Sequence, residues 1–187
     1  MSAPDFTTDV RSRSTPCAGS ASGFKSPTDF LEANRLAGAM CGHGAFAAAN
    51  GLSVAEACEH FDGLKRGKSW CNIPDMERAL RSLRAEWRSV GEGWPAAGLV
   101  IVQFVGPWCE AGVPPAAACR YTHWIASRGE WIWDVNAGEW LARSVWEKCV
   151  PELFPRRAVG WRVKRGYEVA LNDEALVLPV ATEDSTS

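Results

Sequence analysis

Long apolar runs are missing from this chain, and none approaches the ~20 residues that a helix needs to cross a bilayer. The N-terminal stretch MSAPDFTTDVRSRSTPCAGSASG also lacks the uninterrupted apolar core of a secretory signal. A soluble protein with a cytoplasmic location is therefore expected. Charge of one sign is equally scarce: a formal net charge of -2 and a pI near 5.9 give no electrostatic reason to expect nucleic acid or an anionic membrane as partner. The basic residues of VPELFPRRAVGWRVKRGY read as a solvated face. GxGxxG, Walker and internal-repeat patterns are absent, so no cofactor is expected. Cys41-x-His43 and Cys58-x-His60 offer two thiols and two imidazoles, but the paired-Cys and paired-His spacings of zinc sites are missing, and no metal is expected either.

What is present fits one globular domain. The 187 residues are 47% hydrophobic and 22% charged, enough for a proper core and too few for two large domains. Residues 1–23, rich in Ser, Thr, Pro and Ala, read as a flexible N-terminal arm, and 181–187 (ATEDSTS) as a disordered tail, leaving 24–180 as the domain. Seven cysteines at irregular spacing argue against a disulfide scaffold and for a reducing compartment. Ten tryptophans are unusual. Six of them (Trp108, Trp124, Trp131, Trp133, Trp140, Trp146) cluster in the second half and point to a tryptophan-walled core or groove, with core favoured.

The first half reads as helical. SPTDFLEANRLAG opens with helix-start chemistry and closes at Gly38, Gly44 to Asn50 forms a small-residue helix stopped by Asn50-Gly51, and Ser53 with Glu56 makes a capping box for SVAEACEHF. Pro74-Asp75 opens a further helix, MERALRSLRAEW, in which Met76, Leu80, Leu83 and Trp87 recur at helical spacing. The second half reads as sheet. GLVIVQFVG is a buried strand, YTHWIAS and WIWDVNAG form a hairpin about a turn near Ser127 to Glu130, and VGWRVKRGYEV is a strand or strand pair. Helices followed by strands, without alternation, predict an α+β fold with N-terminal helices packed on a C-terminal antiparallel sheet. GPWCEAGVPPAAACRY lies between two strands as a loop or a lid.

One stretch carries chemistry, MCGHGAFAAANGLS. A thiol at a helix start is drawn toward thiolate by unpaired N–H groups and the positive end of the dipole, and Cys41 stands at such a start. Gly42 and Gly44 keep bulk away from the sulfur, leaving a substrate carbonyl room to approach and the Cys41 N–H free to meet a developing oxyanion. Only three histidines exist. His43 beside the glycines lines a cleft or faces water, whereas His123 lies within an apolar strand. The hairpin folds Asp134, eleven residues on, back beside His123, with Asn136 an alternative at the strand end. A base oriented by an acceptor is what a Cys–His mechanism requires.

CGHGAFAAANGLSV, GLVIVQFVG and THWIASRGEWIWDVNAGEW, in that order and spacing, resemble the papain-like cysteine peptidases. The likeness is to the bacteriocin-leader-processing peptidases and their stand-alone relatives, and it spans about residues 30 to 140. The chain also resembles uncharacterised bacteriophage and prophage proteins of that type, which would place it in a bacterial host cytoplasm or a virion. The resemblance implies a papain-like fold whose central helix starts at the cysteine, with Cys41 as nucleophile, His123 as general base and acid, and Asp134 as orienting carboxylate. It implies a peptide or protein substrate, cut at a peptide or isopeptide bond through an acyl-enzyme. The family's Gln about six residues before the nucleophile is replaced here by Arg35, so neighbouring Asn34 becomes the candidate oxyanion donor. Gln103, in the middle of a buried strand, is a poor substitute. The same triad serves transglutaminase, deamidase and other acyl-transfer chemistry, and a non-catalytic binding or phage accessory protein on the same scaffold is the rival reading.

Overall fold

The computed structural model describes residues 24–37, 39–61, 71–114, 121–153 and 155–170. The expected arm and tail, Cys17, Gly38, Cys119 and most of the expected loop or lid's proline-alanine run lie outside the described residues.

Four helices come first: α1 (Phe30–Ala37), α2 (Cys41–Asn50), α3 (Val54–Glu59) and α4 (Ile73–Ser82). Their limits follow from local chemistry. Gly51 ends α2 in the left-handed region at φ 67, where its N–H reaches the Ala47 carbonyl. Ser53 and Glu56 cap α3 reciprocally, and Asp29 adds its carboxylate to the N–H groups of Val54 at 2.8 Å and Ala55 at 2.9 Å. Asn72 accepts the Asp75 N–H at 2.8 Å to start α4.

The expected run of α4 through Trp87 is corrected. Arg84 adopts φ 56, its N–H turns back to Arg81, and the Ala85 N–H closes on Leu80 at 3.2 Å, the paired bonds of a left-handed helix stop. Trp87 therefore opens a strand.

The strands are β1 (Trp87–Gly91), β2 (Ala97–Val105), β3 (Thr122–Arg128), β4 (Trp131–Asp134), β5 (Glu139–Ala142) and β6 (Gly160–Val169). They form one curled antiparallel sheet in the order β1-β6-β2-β3-β4-β5. Helix α5 (Arg143–Cys149) follows β5 directly. The fold is thus mixed helix and antiparallel sheet, with helices before strands as expected and α5 as an addition. VGWRVKRGYEV makes a single strand, β6.

Both faces of the sheet are covered, which is why β2 is buried along its whole interior rather than alternating. On one face α2 lays Ala45, Phe46 and Ala49 against a core that includes Leu99, Ile101, Trp124, Ala126 and Trp133. On the other, Val100, Val102, Ile125 and Ile132 meet Trp146 of α5. Trp124, Trp133, Trp140 and Trp146 are buried, and Trp108 and Trp131 are half-buried against the core, so most of the tryptophan cluster is core.

Close approach of α2 needs its glycines. A Cβ on Gly42 would stand 2.6 Å from the Cys71 Cβ, and one on Gly44 would stand 2.8 Å from the Trp133 ring. This corrects the expectation that they clear space for a substrate: both are buried and let the helix seat on its neighbours.

Candidate active site

Two elements bring the site together. Cys41 is the first residue of α2, partly accessible, and β3 carries His123 beside it. The β3–β4 hairpin supplies the third member. Its register pairs Ala126 with Trp133 and Arg128 with Trp131 across the two residues Gly129 and Glu130, with Gly129 at φ 56. Carried one residue on, this register sets Ile125 opposite Asp134, and with side chains alternating along each strand Asp134 and His123 share one face. Asn136 lies in the turn that follows β4.

His123 Nε2 lies 3.0 Å from Asp134 Oδ1. That contact leaves Nδ1 for the hydrogen bond that links His123 to Cys41. The Asp134 carboxylate is further engaged by the backbone N–H and side-chain amide of Asn136, each at 2.9 Å, and by the Trp146 indole N–H, which donates to Oδ2 at 2.8 Å. His123 is 8% exposed and Asp134 1%, so the pair works largely out of water.

Charges in this setting hold one another. Burial alone would push the Cys41 thiol up, but the adjacent His123, by charge and hydrogen bond, together with the Trp124 backbone N–H, holds it below its ordinary value. Burial would likewise depress His123; Asp134 and Cys41 beside it raise it well above the usual histidine range. Asp134, which burial would raise, is brought down to about 2 by His123 and by its hydrogen bonds from Trp146 and Asn136. Both shifts act in the direction of a thiolate–imidazolium pair backed by a carboxylate.

The other expected residues have different duties. Asn34 is exposed on α1 and its Nδ2 donates to the Ala39 carbonyl at 2.5 Å, so that N–H is committed to the chain rather than to an oxyanion. His43 is corrected from a cleft-lining role. It is 7% exposed, its ring centroid lies 4.4 Å from that of Phe61, and its Nδ1 accepts the Met40 N–H at 3.0 Å. Burial drops its pKa to about 4, which keeps the imidazole neutral at neutral pH. Asn136 lies in the turn two residues past the end of β4, with its Nδ2 3.4 Å from His123 Nε2. Gln103 is buried in β2, and its Oε1 accepts from Arg162 at 3.3 Å.

Trp146 and the Trp124 N–H belong to the site and were not singled out from sequence. The tryptophan cluster was visible there, but nothing in it marks which indole meets a carboxylate. The two Cys-x-His pairs do not converge: His60 Nδ1 lies 3.1 Å from the Ser82 hydroxyl, and among the described residues no group of three or more His, Cys, Asp or Glu is placed to hold a metal ion. No helix among the described residues is long and apolar enough to cross a membrane.

Comparison of the chain with protein-family profiles, with curated proteins and with solved structures finds no match. The functional reading rests on the geometry above.

Proposed function

We propose that the protein is a papain-like cysteine hydrolase acting on a peptide or isopeptide bond through a Cys41–His123–Asp134 triad. The observation that carries this reading is the relay itself: a half-buried cysteine at a helix start, its sulfur hydrogen-bonded to an imidazole whose other nitrogen meets a buried carboxylate. A cysteine-headed helix packed on an antiparallel sheet that bears His and Asp on adjacent strands is the arrangement a papain-like fold calls for.

The chemistry follows from the charges. The Cys41 thiolate donates an electron pair to the substrate carbonyl carbon, and the carbonyl π pair moves onto oxygen. As that tetrahedral adduct collapses, the C–N bond breaks and the imidazolium of His123 gives its Nδ1 proton to the departing amine. A thioester remains. Neutral His123 then takes a proton from water as the water attacks the thioester, and keeps it as the C–S bond breaks and the acid product leaves, which restores the thiolate–imidazolium pair. Asp134 keeps the imidazole oriented and stays ionised throughout. An amine in place of water would make the same enzyme an acyltransferase.

The test is selective alkylation. At pH 6 an ordinary thiol is ~0.1% thiolate, so a Cys41 held as thiolate should react with iodoacetamide ~10–100-fold faster than Cys109, after allowing for its weaker intrinsic nucleophilicity. The advantage should vanish in His123→Ala. Equal rates at Cys41 and Cys109 in the wild type, read by peptide mapping, would end the proposal.

A further inference from the structure

Two side chains outside the triad grip the same peptide group. The Ala39 carbonyl accepts from Asn34 Nδ2, and the N–H on the other side of that bond, the Met40 N–H, donates to His43 Nδ1. One planar unit, Ala39–Met40, is thus held at both ends, by an exposed residue of α1 and a buried residue of α2. The next peptide, Met40–Cys41, has its carbonyl fixed by the N–H groups of His43 at 2.9 Å and Gly44 at 3.2 Å. No peptide among the described residues is cis, so the Cys41 N–H points opposite to that carbonyl. It faces out of the helix start, and no hydrogen bond ties it to a described residue. The direction of this N–H relative to its own sulfur is set by φ and χ1 of Cys41, and a turn of the Met40–Cys41 plane couples that φ to ψ of Met40, which lies between the two held peptides.

We infer that Asn34 and His43 are positioning residues that clamp the Ala39–Met40 peptide, and thereby aim the Cys41 N–H at the oxyanion formed when Cys41 attacks a carbonyl. The inference rests on the hydrolase reading above. Asn34 acts here through the backbone, not on substrate. His43 does what a Glu or Gln commonly does at the third position of a helix, reaching back to the N-cap N–H, but with an acceptor rigid enough to be locked by Phe61. Accepting at Nδ1 requires the proton on Nε2. The charged group that bears on the ring is Asp75 of α4.

An oxyanion donor matters to acylation and not to alkylation, and this separates a positioning role from a merely structural one. With 4-nitrophenyl acetate the sulfur forms a thioester through a tetrahedral oxyanion and 4-nitrophenolate departs with the C–O pair. Iodoacetamide is displaced at a saturated carbon with no oxyanion. Asn34→Ala and His43→Leu should each slow acylation about ten- to hundredfold, short of the ~10²–10³ that deleting a donor outright costs. Alkylation should change by less than about threefold. The double variant should lose far less than the product of the single losses, because one peptide is released either way. His43→Asn, which keeps an acceptor near the Nδ1 position, should restore most of the acylation rate.

Acylation unchanged in Asn34→Ala, or acylation and alkylation falling together in the folded variants, would overturn the inference while leaving the triad standing. Losses that multiply would assign Asn34 a direct contact with the oxyanion and overturn the clamp. Should His43→Leu not fold, Asn34→Ala, at an exposed position, decides alone. A wild-type Cys41 that reacts with neither probe faster than Cys109 removes the hydrolase reading instead.

Discussion

Replacing Trp146 by Phe tests whether the carboxylate at the far end of the triad is held by the indole or merely packed against it. In the wild type the indole N–H donates to Asp134 Oδ2 at 2.8 Å, with the two residues 2% and 1% exposed. Deleting a hydrogen bond to a buried charged acceptor costs about 1.5–3 kcal/mol, and the smaller ring gives up roughly 1–2 kcal/mol of packing against Trp94 and Trp161. A loss of about 3–4 kcal/mol at pH 7 is expected, which in a chain of this length lowers the melting temperature by about 10 °C. Its pH dependence is the sharper test. Asp134 titrates at about 2 in the folded protein against 3.8 for an ordinary aspartate, so the carboxylate adds stability that is complete above pH 3.8 and lost as pH falls through 2. That contribution is on the order of 2 kcal/mol. The Trp146 bond is one of the causes of the depression, so in Trp146→Phe the folded value rises and the contribution shrinks. The stability gap between the two proteins should therefore narrow as pH is lowered from 5 to 3. Urea unfolding at pH 7, 5 and 3, followed by tryptophan fluorescence, measures it. Parallel curves with a constant gap would mean that the indole only packs.

Two further outcomes follow from the same geometry. Asp134→Asn removes the foremost influence raising His123, so the midpoint of the His123 ring-proton titration by NMR should fall, and an unchanged midpoint would detach the carboxylate from the imidazole. Gly42→Ala drives a methyl to 2.6 Å from the Cys71 Cβ, an atom close to the backbone that cannot swing aside, and should destabilise by about 1–3 kcal/mol. Wild-type melting of that variant would show that α2 is not wedged as described.

The hairpin was legible in the sequence because a two-residue turn fixes its register by counting. Once Gly129 and Glu130 take the turn, strand parity alone puts Asp134 on the face of His123. The start of α2 was legible for a similar reason, since small residues ahead of an Asn-Gly stop leave few alternatives. The break before Trp87 was not, because it depends on Arg84 adopting a positive φ, which Gly would advertise and Arg does not. Helix α5 escaped notice because it starts straight off β5 at Ala142, with no capping side chain. The duties of Asn34 and His43 were hidden for a different reason. Each binds the backbone of a turn whose path no periodicity encodes, so the residue types were visible and their partners were not.

The shortness of β4 ties the fold to the chemistry. Phe104 and Tyr121 face each other with the Phe104 N–H bonded to the Tyr121 carbonyl, and antiparallel ladders alternate, so Val102 and His123 also bond to one another across β2 and β3. The N–H of Trp124, one residue on, must then point the other way, toward β4. But β4 reaches only as far as Ala126 on that edge and stops at Asp134, where the chain turns back with the N–H groups of Ala137 and Gly138 on the Asp134 carbonyl. A longer β4 would cover Trp124 and bury its N–H in the ladder. Instead the edge stands open at the point where α2 begins, and the Cys41 sulfur accepts that N–H. An unpaired strand edge, which folds usually have to shield, is closed here by the Cys41 sulfur, and the residue that ends the strand, Asp134, is the one that meets the His123 ring.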